Sequence, residues 1–255
     1  MASTTIAKIG AVAYYELRMQ WRRRGLLVIT LALLVTTAAP ALIIRNDLSE
    51  SGDYSPLMVW LVWASLGSVL AFVLPLIFAD TLPRDHQLHT RQLIDSKPLP
   101  FSTYLTGKLL GVLASVGIML AVLACAIGLF WTIFVGAIDP AQFIGLWVGA
   151  AAMAAINIGL MVILTAFFTD SRVAIFVGII FTVALPLLTG LPPRGAFVEI
   201  FSTLRPGLFF SYMTNAGITL NYTLLSVEVT VISGFAQLIL AWAGALLVNR
   251  LLKGS

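Results

Sequence analysis

The residues able to do chemistry collect in one stretch, Asp80 to Lys108, which reads DTLPRDHQLHTRQLIDSKPLPFSTYLTGK. It carries Arg84, Asp85, His86, His89, Arg91, Asp95, Lys97 and Lys108, in a chain that is only 10% charged. His86 and His89 stand at i,i+3, one helix face, and with Asp85 they could chelate a metal, but the stretch offers no further ligand shell. Gly107-Lys108 lacks the upstream glycine and the following Ser or Thr of a phosphate-binding GxxxxGK[ST] loop, so the chain does not bind ATP by that route. Neither an HExxH pair nor a Gly-x-Ser-x-Gly elbow occurs. The one cysteine, Cys125, lies deep in an apolar run and has no partner for a disulfide or a cysteine metal site. Ion-coupled carriers bury acids, bases or histidines in their spans. The candidates here are Glu228, Asp80 and Asn157, and each has a plain structural alternative: snorkelling, capping, or an interhelical hydrogen bond. No catalytic constellation forms, so the chain is expected not to be an enzyme. The means to move something are present, and an energy source inside the chain is not evident.

The elements that must position these groups follow from composition. The 255 residues are 60% hydrophobic with a mean hydropathy of +1.00. A soluble domain carries about 25% charged residues and could not cover its surface with so few. The class is an all-α integral membrane protein. Residues 5–24 precede any long apolar run. Ile6, Ile9, Ala13, Leu17 and Trp21 fall on one side of a helix there, and Lys8, Tyr15, Arg18 and Arg22 on the other, which predicts an amphipathic helix lying in the membrane interface. The first apolar run is of full span length and lacks a small-x-small cleavage pattern, so it is not expected to be a cleaved signal.

Six spans are predicted, over 25–44, 56–79, 104–135, 142–168, 173–189 and 224–248, with a loop at 80–103 and a Pro- and Gly-broken segment at 190–223. The latter reads as two short re-entrant helices in the outer leaflet, because neither half is long enough to cross. Gly107, Gly111 and Gly117 leave room for close helix contact, and the small residues of the fourth span predict a helix packed by protein on several sides. With the N-terminus inside, twelve Lys and Arg fall on inner segments and three, Arg45, Arg194 and Arg205, on outer ones. That bias places both termini in the cytoplasm and the 80–103 loop with them. The net charge of +4 is explained by this asymmetry, and no basic face interleaved with aromatics suggests nucleic acid.

The pattern resembles the permeases of type-2 ATP-binding-cassette (ABC-2) exporters: an interfacial helix, six spans, a charged loop after the second, and a broken apolar segment before the sixth. The most specific part is Arg91-Gln-Leu-Ile-Asp-Ser-Lys-Pro-Leu-Pro-Phe-Ser-Thr-Tyr-Leu-Thr-Gly-Lys108, similar to the family's basic residue, apolar pair, small residue, Pro-Leu and Gly-Lys. The family's Glu-Arg-x-x-Gly-Thr run is replaced by Pro83-Arg84-Asp85-His86-Gln87-Leu88, so the cargo is not specified. The resemblance implies a cytoplasmic coupling helix over about Arg84 to Ser96, stopped by Pro98 and Pro100, that seats in a separate ATPase subunit. Leu88, Leu93 and Ile94 would be its apolar docking side, and Arg84, Asp85, Arg91 and Asp95 would pair across the interface. Asp170 and Arg172 would make a second inner contact. Two permeases, alike or paralogous, would form the path in the cell inner (plasma) membrane, lined by Trp60, Trp63, Ser65, Ser68, Phe72, Phe176 and Phe181. No cofactor is implied in this chain; ATP and Mg would sit on two copies of the partner. The rival expectation is a stand-alone secondary carrier or channel.

Overall fold

A computed structural model of the chain describes residues 2–22, 24–44, 58, 61–62, 65–66, 69–87, 99–136, 138–190 and 224–253, a few of them by backbone alone. Among the described residues every regular element is helical. The helices are α1 (Ala2–Arg22), α2 (Gly25–Ile44), α3 (Leu74–Phe78), α4 (Pro83–Gln87), α5 (Phe101–Phe134), α6 (Pro140–Leu164), α7 (Ser171–Gly190) and α8 (Leu224–Lys253).

Three of them are long and apolar enough to cross a membrane: Gly25–Leu42, Phe101–Phe134 and Phe143–Phe167, the last running on through a 3-10 turn at Thr165–Phe167. Their backbone polar groups are satisfied within each helix, the condition for crossing hydrocarbon. Side-chain hydroxyls follow the same rule. Thr30 donates to the Leu26 carbonyl, Thr37 to Leu33, Ser115 to Gly111 and Thr165 to Met161, each one turn back. Shorter apolar stretches occur at Ser171–Ile180 and Leu238–Arg250.

The hub is α5. Helices α1, α2 and α6 all pack on it, α8 packs on α6, and α3 packs on α6 and α7. The core runs along this axis through Leu105, Val112, Val116, Met119, Leu123, Ile127 and Trp131, at steps of seven, four or three that keep one face of α5 inward. Ahead of α3, the helical residues Met58, Leu61, Val62, Leu66 and Leu70 are buried in the same core. A hydrogen bond of 3.1 Å between the Thr37 and Ser65 hydroxyls ties that segment to α2. The backbone widens to a π-helical turn at Val69–Val73, ending two residues before Pro75. Proline has no N–H to return to the preceding turn, which loosens the ladder at that point.

Helix α6 is the most buried of the three long apolar helices. Its small residues admit neighbours: a Cβ at Gly159 would collide with the Leu238 side chain of α8. The helix therefore has protein on several sides, as its composition implies. The indole of Trp242 on α8 donates to the Thr106 hydroxyl on α5 at 3.2 Å.

The 5–24 stretch, expected to lie in the membrane interface, is helical over Ala2–Arg22, and the face it applies to α5 is mixed in character. The Ile6 side chain is 69% exposed, whereas Glu16 and Gln20 are buried and Val12 is half-buried against the core. The face applied to α5 thus carries a carboxylate and an amide beside Val12 and the backbone of Ile9 and Ala13, while Ile6 of the apolar stripe stays outward. The physical reason is a cation on α5 that the sequence periodicity cannot anticipate. Arg24 joins α1 to α2 in the left-handed region, at φ 56°.

Candidate functional site

The site is built at the end of α5 that begins at Phe101. The glycines come first. A Cβ at Gly107 would meet the Val12 side chain at 2.6 Å, and one at Gly111 would meet the Ala13 carbonyl oxygen at 2.6 Å. The Gly107-Lys108-Leu109-Leu110-Gly111 run is a small-xxx-small surface, and α1 lies directly on it, backbone to backbone. Gly117, expected to serve the same purpose, has nothing within 4 Å of its would-be Cβ.

Close approach brings Glu16 over Lys108. The Lys108 ammonium donates to Glu16 Oε2, and at 2.6 Å to Asp85 Oδ2. Gln20, one turn on from Glu16, donates its amide N–H to Glu16 Oε1. Tyr104, one turn back from Lys108, donates its hydroxyl proton to Asp85 Oδ2 and places its ring 5.9 Å from the ammonium. All the side chains of this ion cluster are buried: Lys108, Asp85 and Gln20 are each 2% exposed, Tyr104 4% and Glu16 0%. One cation thus holds two anions from two other segments, with Gln20 on the second oxygen of Glu16 and Tyr104 sharing Asp85 Oδ2 with the ammonium. Buried charge is tolerated only where such partners are at hand.

The carrier of Asp85 is α4, within the described part of the charged loop. The chain leaves α3 through turns in which Thr81 N–H donates to the Phe78 carbonyl and Arg84 N–H to Asp80. Helix α4 packs on the 3-10 turn at 165–167 and on α7. The expected inner segment 83–87 therefore touches the helix that opens at Ser171 and the turn before it. Asp170 caps α7: its Oδ1 accepts the Arg172 backbone N–H at 2.9 Å. Arg172 is exposed.

The candidate residues distribute as follows. Asp85, expected to pair outward with a partner, turns inward to Lys108 and Tyr104. Arg84 stays outside, 42% exposed, in a loose 3.9 Å pair with Asp80 one turn earlier. Leu88, Arg91, Leu93, Ile94 and Asp95 lie outside the described residues. Of the path residues, Trp60, Trp63 and Ser68 also lie outside them, and Phe72 and Phe181 are described by backbone alone. Ser65 is engaged with Thr37, and Phe176 is 63% exposed on an outer face of α7. Among the described residues no group of three or more His, Cys, Asp or Glu gathers to hold a metal.

Glu16 is the residue that sequence reasoning missed. Its signal was available: it is the only acid ahead of Asp47, in a segment with Lys8, Arg18 and three consecutive arginines. Lys108 had a matching signal, a cation inside an apolar helix, where an ionisable group calls for a named partner.

The depth of the cluster follows from length. Helix α5 has 34 residues, about 51 Å at the α-helical rise, against a hydrocarbon core of about 30 Å. About 14 residues of it exceed the core, and Lys108 is among the first of the helix. The ion cluster sits at the membrane edge when the excess lies at that end. The chain matches no protein-family model and no curated protein.

Proposed function

We propose that this chain is the membrane-spanning permease subunit of an ATP-binding-cassette exporter of the ABC-2 type, working as a dimer in the inner (plasma) membrane with two separate ATP-binding subunits. The observation that carries the reading is the buried cluster of Glu16, Asp85, Tyr104 and Lys108. A driven permease needs a stiff connection between the segment that a motor pushes and the spans that must move. Here α4, at the start of the charged loop, is fastened by charge to the head of α5 and to α1 together. A push on α4 is delivered to the hub helix without slack, because a packed, charge-paired joint yields as a unit. The similarity of Arg91 to Lys108 to the exporter pattern supplies the identity of the motor. Six spans, both termini cytoplasmic, and a path near Phe176 belong to this proposal.

The test is association and turnover. The chain, expressed with candidate ATP-binding-cassette ATPases from its own genome, is expected to co-purify with one of them and to change its ATP turnover. Leu93→Asp, placing a carboxylate on the apolar docking side, is expected to abolish that association. The proposal falls if no such ATPase associates, or if Leu93→Asp leaves both association and turnover intact.

One observation favours a second reading. Buried ionisable groups also mark the ion paths of stand-alone carriers, and Lys108, Glu16 and Asp85 are such groups. That reading requires transport driven by an ion gradient in proteoliposomes holding this chain alone, without nucleotide. The edge position argued from the length of α5 weighs against it, because coupling sites of such carriers lie near the bilayer midplane.

A further inference from the structure

Burial of Glu16 has a consequence for the other side of α1. The helix contains one acid and three basic residues, Lys8, Arg18 and Arg22. The acid is taken out of solvent by Lys108, and the three basic residues are exposed. The helices that α1 packs against, α2 and α5, contain no Asp or Glu. The nearest other carboxylate of the cluster, Asp85, is itself committed to Lys108. The outer face of α1 is therefore cationic, and among the described residues no carboxylate opposes it.

That face is also shaped. Tyr14, Leu17, Arg18, Trp21 and Arg22 line an open depression of about 440 Å³. They stand at i, i+3, i+4, i+7 and i+8, one face of a helix. Arg18 and Arg22 are one turn apart, with Cβ atoms about 5–6 Å from each other, a separation at which two guanidinium forks can grip one phosphate. Tyr14 is 65% exposed and its neighbour Tyr15 57%. Two residues beyond Arg22 the left-handed turn at Arg24 sends the chain into the apolar helix α2. The guanidiniums thus stand where an apolar span begins, the level of lipid headgroups, with the aromatic rings usual at that level.

We propose that the Tyr14, Arg18, Trp21 and Arg22 face of α1 binds the phosphate headgroup of an anionic phospholipid. Arg18 and Arg22 hold the phosphate, and Tyr14 and Trp21 wall the depression and contact the glycerol region. The site does not depend on the permease reading, only on α1 lying against a membrane.

The test uses the full chain in nonionic detergent at low salt, titrated with brominated phosphatidylglycerol or brominated phosphatidylcholine. The readout is the quenching contributed by Trp21, taken as the difference between the wild-type chain and Trp21→Phe. Half-quenching is expected at about tenfold lower phosphatidylglycerol than phosphatidylcholine. The combined change Arg18→Gln with Arg22→Gln, at an exposed face, is expected to reduce that ratio below about twofold. Lys8→Gln, on the same helix but outside the depression, should keep it. Equal quenching by the two lipids in the wild-type chain overturns the site, as does an equal loss on Lys8→Gln, which would mean diffuse charge. Millimolar inorganic phosphate should leave the preference in place, and its abolition would mean that the arginines take free phosphate and not lipid. The wild-type comparison of the two lipids stands apart from any folding defect in a variant. Loss of this preference would leave ATPase association untouched, so the two proposals fail separately.

Discussion

Lys108 is the residue on which most depends. It is 2% exposed and faces two carboxylates from different segments. Removing the cation leaves two buried anions without compensation, a change that costs about 3–5 kcal/mol. Lys108→Met is therefore expected to lower the apparent unfolding temperature in detergent by about 10 °C, measured by tryptophan fluorescence. Adding Glu16→Gln and Asp85→Asn to that change removes the stranded charges and should recover most of the loss, since an apolar or neutral set is often as stable as the ion cluster it replaces. An unchanged unfolding temperature for Lys108→Met would show that the cluster does not hold the segments together. Arg24 offers a smaller test. At φ 56° a side chain is disfavoured by about 1–2 kcal/mol. Arg24→Gly should be tolerated with stability unchanged or slightly raised, while the β-branched Arg24→Val should lower it by about 1–2 kcal/mol, read in the same assay.

At the scale of elements, the contact of α1 with α5 turns on the absence of two side chains. At Gly111 an added methyl would press on the Ala13 backbone, which cannot rotate away. Gly111→Ala is expected to cost about 1–3 kcal/mol by overpacking and to increase proteolytic release of α1. Gly117→Ala has open space and gains helix propensity, so it should be neutral or stabilising by up to about 1 kcal/mol. Limited proteolysis of the two variants side by side separates them. If Gly117→Ala loosens α1 as much as Gly111→Ala does, the close approach at 107–111 is not what seats the helix. The same pair explains how far the sequence could go. Gly107, Gly111 and Gly117, on one apolar helix, were equivalent candidates for close packing. Which of them meets a neighbour depends on where α1 crosses, and no local pattern contains that.

For the molecule as a whole, the governing feature is that three of the described helices are long and apolar enough to cross a membrane. Large apolar side chains stand outward on every long helix, among them Val28, Leu31 and Val35 on α2 and Leu129 and Ile133 on α5. Cys125 is exposed on α5, 24 residues after its start at Phe101. With the excess length of α5 at its Phe101 end, that position is inside the hydrocarbon core. In intact membranes Cys125 should resist a charged, membrane-impermeant maleimide and react fully once the protein is solubilised and denatured; mass spectrometry reads both. Ready labelling in intact membranes would move α5 along its axis or expose it to an aqueous path. An apolar depression of about 340 Å³ between α5 and α6, lined by Gly117, Ala121, Phe143 and Trp147 among others, lies on this same outer surface.

The sequence by itself determined the class of this protein. Sparse charge and long apolar runs call for helices able to cross a membrane, and the apolar run at 25–44 coincides with α2. It also located the stretch where ionisable groups collect, because charge in such a chain is rare enough to stand out. Tertiary structure alone decided what those groups do. Glu16 and Lys108 are 92 residues apart in the chain, and Asp85 carried no mark to distinguish it from the outward-facing acids expected around it. Periodicity describes one helix about its own axis. It set the apolar stripe of α1 toward a membrane interface, and only the fold shows that Glu16 and Gln20 of the same helix are buried against α5, where a buried ammonium needs a carboxylate. The same pairing turned Arg18 and Arg22 outward, a cationic face that exists only because the single acid of α1 is turned inward.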